Sequence, residues 1–173
     1  MKLVHPFQSK RLWFRTLEVE TATGDYHQWL RDPAVNQYLE VRHHVPDIDG
    51  LKAFIRAKNE SPDDVLLGIF LNERHIGNIK LGPIVWAEKT GTMGILIGDR
   101  SSWGKGYATE AIATVAEFAI HKLQLEKIVA SCYDTNLGSY RAFMKAGFKD
   151  MGREKNPKPN PNCETILKME YSL

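Results

Sequence analysis

Three small residues on alternate positions, Gly104, Gly106 and Ala108, follow an apolar run ending at Ile97-Gly98 and open the most regular apolar stripe in the chain. That stripe is Ala108, Ala111, Ile112, Val115, Ala119 and Ile120. The segment therefore predicts a strand, a short loop and a helix starting near Gly104. The first turn of such a helix carries unpaired N–H groups and the positive end of the helix dipole. Small residues let a bulky anion approach that backbone, and Lys105 adds a mobile positive charge. The corner is a candidate phosphate or pyrophosphate cradle.

The elements around this corner define the fold class. The run 11–19 alternates as a strand, and 24–33 places Tyr26, Trp29 and Leu30 on one helical face until Asp32-Pro33. A second helix over 46–58 carries Ile48, Leu51, Phe54 and Ile55, after an aspartate suited to capping. Runs 64–71, 75–86 and 91–98 predict three consecutive strands. A strand at 126–133 and a short helix at 136–148 follow, opened by Asn136 and closed at Gly147. Two last strands, 148–155 and 165–173, flank a proline-interrupted loop. This order predicts a mixed α/β sheet in one domain spanning 1–173, without repeated βαβ winding.

Composition removes several classes of function. With 23 basic and 21 acidic residues the net charge is +2, too balanced to make nucleic acid or a membrane the main partner. The start of the chain lacks the apolar core of a signal peptide, and no apolar run of about 18 residues follows. Cys132 and Cys163 lie in unlike contexts, one apolar and one polar, and are no disulfide framework. The expectation is a cytoplasmic protein with free thiols.

Two familiar phosphate loops do not fit. The Walker pattern is absent, and Thr109 stands where a dinucleotide fingerprint needs its third small residue. The sequence WGKGYA at 103–108 instead resembles the pyrophosphate loop of the GCN5-related N-acetyltransferases, whose pattern is [QR]-x-x-G-x-[GA]. Trp103 replaces the usual Gln or Arg, a departure shared by the branch that acetylates ribosomal-protein N-termini. Asn136-x-x-Ser139 and KAGF at 145–148 fall in that branch's order and approximate spacing. The resemblance covers nearly the whole chain and implies a mostly antiparallel sheet flanked by about four helices.

The same resemblance implies acetyl-CoA as co-substrate and no metal. It assigns the pyrophosphate to Trp103, Gly104, Lys105, Gly106, Tyr107 and Ala108, and the pantetheine arm to the backbone of Ile95, Leu96 and Ile97. Asn136 would contact the pantetheine and Ser139 would stabilise the departing thiolate. Ser139 matters because the tyrosine that another branch uses, seven residues after the asparagine, is here Phe143. Many relatives carry a glutamate on the strand before the loop, and here Met93 occupies that position. The candidate bases are therefore Glu40, His43 and His44, in the connection that lines acceptor sites in this family.

For the acceptor, the 29–43 and 75–84 stretches look like acetyltransferases that modify nucleotide-activated amino sugars for surface polysaccharides. Arg42, His43 and His44 beside Glu40 suit a small anionic substrate, and the segment is not acidic enough for a polyamine. A protein N-terminus is the alternative acceptor, and a noncatalytic coenzyme-A-binding module is a further one. Dimers are common in the family, which leaves a homodimer open.

Overall fold

The computed structural model describes residues 1–157 and 163–172. Most of the proline-interrupted loop and Leu173 lie outside the described residues. Eight strands form one sheet in the order β1-β2-β3-β4-β5-β6-β8-β7. They are β1 (Phe7–Gln8), β2 (Leu12–Thr16), β3 (Val65–Leu71), β4 (Arg74–Val85), β5 (Thr90–Ile97), β6 (Lys127–Tyr133), β7 (Lys149–Lys155) and β8 (Thr165–Ser172). The one parallel neighbour pair is β5–β6; the others are antiparallel.

The helices are α1 (Asp25–Arg31), α2 (Pro33–Asn36), α3 (Ile48–Glu60), α4 (Tyr107–His121) and α5 (Leu137–Lys145). The fifth beyond the expected four is the single turn α2. Asp32-Pro33 does end α1, but it also starts α2: the Asp32 carboxylate accepts from the Ala34 N–H at 2.9 Å, and proline suits a first helical position. Asp47 caps α3 in the same way, through the Gly50 N–H at 2.8 Å.

Two cores sandwich the sheet. On one face the stripe Ala111, Ile112, Val115, Ala119 and Ile120 of α4 packs with Phe143 of α5 against Phe14, Leu67, Ile79 and Ile128. On the other, Tyr26, Trp29 and Leu30 of α1 and Leu51 and Ile55 of α3 pack on Leu17 and Leu66. Antiparallel partners share a face, so Asn78 and Lys80 of β4, paired with Leu96 and Gly94 of β5, belong to the α1–α3 side. The intervening Ile79, paired with Ile95, faces α4. Phe54 and Ile48, both in the predicted stripe of α3, stay partly exposed at its edge.

Cys163 sits in a polar stretch of sequence but is buried, packed with Tyr133 and Ile166. Cys132 is half-buried, and both thiols are free. No helix among the described residues is long and apolar enough to cross a membrane.

Candidate active site

The sheet opens in the middle. β5 and β6 pair only over Thr90–Thr92 and Lys127–Val129, after which both strands continue without pairing to each other. Each strand's far edge remains occupied, β5 by β4 and β6 by β8. The facing edges of Met93–Leu96 and Ser131–Tyr133 therefore form the two lips of a cleft of about 790 Å³. Backbone groups left unpaired at such an edge are ready to accept an added extended segment. Gly94 keeps one lip bare, since a Cβ there would meet nothing within 4 Å.

The glycine corner lies just past the end of β5, outside the cleft. α4 starts at Tyr107 rather than at Gly104, because Gly106 takes a left-handed φ of 80° as its N-cap. Gly104 is also left-handed at 72°. No side chain caps α4, and its first backbone bond runs from the Glu110 N–H to the Gly106 carbonyl at 3.1 Å. The Tyr107, Ala108 and Thr109 N–H groups thus lack intrahelical partners, the arrangement that binds anions at helix ends. The Trp103 indole N–H donates to the Ile97 carbonyl at 2.8 Å, pinning the loop to the end of β5.

Arg11 and Glu110 hold this corner from behind. The Glu110 carboxylate accepts from the Ser9 hydroxyl at 2.7 Å, the Arg11 backbone N–H at 2.8 Å and Arg11 Nε at 2.6 Å. Burial pushes its pKa up, but these donors outweigh burial and leave it below the ordinary value. Arg11 also donates to the Lys105 carbonyl at 3.1 Å and lies 4.6 Å from the Tyr107 ring centre. Glu110 is a tie between distant segments as well as a first-turn acid, and Arg11 carries no local motif that would reveal it.

Six of the sequence-derived site residues line the cleft: Glu40, His44, Ile95, Leu96, Asn136 and Ser139. Ile97 and residues 103–108 lie beyond it, and His43 is exposed away from it. Asn136 caps α5, its Oδ1 accepting from the Ser139 N–H at 3.2 Å. The Cys132 thiol donates to the Asn136 carbonyl at 3.9 Å, and its pKa is pushed up to about 11, chiefly by burial, although the neighbouring Ser139 hydroxyl pulls the other way. Met93 and Phe143, at the two positions where relatives carry acid and phenol, are buried in the cleft wall.

Tyr133, which no sequence pattern singled out, supplies a phenol at the end of β6 and donates to the Glu40 carboxylate. Arg42 stands 3.5 Å from the Tyr133 hydroxyl and 5.3 Å from its ring centre. Trp29 does not border the cleft. It packs on Gly98, where a Cβ would come within 1.9 Å of its ring.

The comparisons agree with this geometry. A family model described as an acetyltransferase (GNAT) domain matches residues 11–149. The Bacillus subtilis protein named "Probable N-acetyltransferase YjcK" is 38% identical over 105 residues, covering 58% of this chain and 58% of that protein. The chain thus spans somewhat over half the length of that relative. The structure of RimL, a ribosomal L7/L12 alpha-N-protein acetyltransferase in complex with coenzyme A, superposes with a TM-score of 0.88 at 15% identity, covering 98% of both chains. Spermidine N-acetyltransferase from Vibrio cholerae, in complex with CoA and spermine, gives 0.83 at 17% identity, covering 95% of this chain and 96% of that one. At those identities the structural matches speak for the fold alone. The family match, the split sheet and the glycine corner show that the chain belongs to the GNAT family of acetyltransferases.

Proposed function

We propose that this chain transfers the acetyl group of acetyl-CoA to the amine of a nucleotide-activated amino sugar in the cytoplasm. The observation that carries the acetyl-CoA part is the divergence of β5 from β6 after Thr92, directly before the uncapped helix end at Gly106. The pyrophosphate sits on the backbone N–H groups of 104–108, with Lys105 alongside. The pantetheine arm then runs into the split as an extra half-strand against β5, toward Leu96 and Ile95, and Asn136 contacts it.

The acetyl group ends near the lips of the cleft, where Glu40, Tyr133 and Ser139 converge. An amine with a pKa of about 8, as an α-amine has, is mostly protonated at neutral pH, so a proton must leave before attack. Glu40 takes that proton, oriented by the Tyr133 hydroxyl that donates to it. The neutral nitrogen attacks the thioester carbonyl carbon and forms the C–N bond. Backbone N–H groups of the open β5 edge stabilise the oxyanion. Collapse breaks the C–S bond, the nitrogen's second proton passes to the leaving thiolate to give the coenzyme A thiol, and Ser139 steadies that sulfur with a hydrogen bond. His44 lines the same space as a second candidate base, and His43 has no role in this scheme.

The experiment is thiol release from acetyl-CoA with UDP-glucosamine and, separately, with a peptide that has a free N-terminal serine. Release with the sugar supports the proposal. Release with the peptide alone makes the chain a protein N-terminal acetyltransferase. Acetyl-CoA binding without release on either overturns the sugar assignment.

A further inference from the structure

The α1–α3 side of the cleft holds hydrogen-bonding groups that the protein itself does not use. The Tyr26 hydroxyl, on α1, has no hydrogen-bond partner among the described residues although Tyr26 is 7% exposed and lines the cleft. Burial pushes its pKa up to about 12, so it is a protonated donor across the physiological range. Asn78, on β4, is 5% exposed and also lines the cleft. Its Oδ1 is engaged by His75 Nε2 at 2.8 Å, which turns Nδ2 away from the histidine, and Nδ2 has no partner. Lys80 is two residues on along the same face, its nearest carboxylate being Asp64 at 3.9 Å.

Of these, Asn78 Nδ2 is the costly one, because an unmade hydrogen bond at a buried polar atom calls for a specific explanation. All three groups offer N–H or O–H donors, and Tyr26, Asn78 and Lys80 bring no carboxylate to this wall. Burial and the nearby Lys58 lower the Lys80 pKa, and Asp64, 3.9 Å away, opposes them. A polyamine needs the opposite lining. The sole carboxylate among the described cleft residues, Glu40, stands across the opening and is the proposed base.

We propose that Tyr26, Asn78 and Lys80 form the acceptor-recognition wall and select an amine that carries oxygen acceptors near its nitrogen, hydroxyl, carbonyl or phosphate. This rests on the acetyl-transfer reading above. An amino sugar and a peptide N-terminus both have that chemistry; a polyamine does not. His75 acts as a positioning residue, fixing which edge of the Asn78 amide is free.

Calorimetric titration on the full chain tests it. Coenzyme A is added first, and its failure to bind would refute the acetyl-transfer reading at that stage. UDP-glucosamine, a serine-initiated peptide and spermidine are then titrated into the loaded protein. The wall predicts binding of the sugar or the peptide and none of spermidine at equal concentration, with the sugar and peptide arms telling the two sources apart. Tyr26→Phe and Lys80→Gln should each raise the acceptor Kd about tenfold and leave the coenzyme A Kd unchanged. Tyr26→Phe should also melt no lower than wild type, because its hydroxyl has no protein partner to lose. Tighter binding of spermidine than of the others overturns the proposal. So does an unchanged acceptor Kd in both variants, or no binding by any of the three.

Discussion

At Gly104 the free protein imposes only a backbone requirement. A Cβ there would meet nothing within 4 Å, yet φ is 72°. Asparagine tolerates that conformation better than other residues with a side chain, whereas a β-branched residue is strained there. Gly104→Asn should therefore keep the melting temperature within a few degrees while weakening acetyl-CoA binding by about tenfold or more, as the side chain fills space the pyrophosphate needs. Calorimetry beside a thermal melt separates the two effects, and unchanged affinity would remove the loop from the site. Cys132 gives a second residue-scale prediction. With its pKa pushed to about 11 by burial, it should react with iodoacetamide far more slowly than an ordinary thiol at pH 7.5. Mass spectrometry of the peptide that contains it checks this, and bound coenzyme A should slow the reaction further.

Among the elements, α4 shows what a sequence does and does not disclose. Its apolar stripe was legible because helical periodicity is local, and Ala111, Ile112, Val115, Ala119 and Ile120 are all buried. Its clamp was not legible, because Ser9 and Arg11 reach Glu110 from a turn about a hundred residues away. Glu110→Gln should destabilise the protein by about 1–2 kcal/mol at neutral pH, since hydrogen bonds to a charged group are lost. The sign of the pH dependence follows from the lowered pKa of Glu110. Its contribution is complete above the ordinary glutamate value and is lost as pH falls through the depressed one. The stability gap between wild type and Glu110→Gln, read from urea unfolding, should accordingly shrink in acid. In α3 the error ran the other way: Phe54 matches the apolar period but is 39% exposed because it borders the cleft.

Across the whole molecule, the geometry of the glycine corner was readable and that of the proposed acceptor wall was not. The corner is one contiguous stretch, so spacing alone carries its geometry. The wall joins α1 and β4, which only the folded sheet brings together. Even so, alternation along HIGNIKL puts Asn78 and Lys80 on one face of a strand in the middle of the sheet, and two polar residues there were a usable signal. Glu40 and Tyr133 meet across the same opening. Glu40→Gln should lower kcat by about a hundredfold or more with acetyl-CoA affinity unchanged, and kcat at wild-type level would exclude Glu40 as the base.

The proposed function stands or falls with the split between β5 and β6 as the acetyl-CoA slot. A crystal structure of the protein with coenzyme A bound tests it most directly. The expected result is the pantetheine arm between the Met93–Leu96 and Ser131–Tyr133 edges, with the pyrophosphate on the backbone N–H groups of 104–108. Coenzyme A lying elsewhere, with that slot empty, would contradict it.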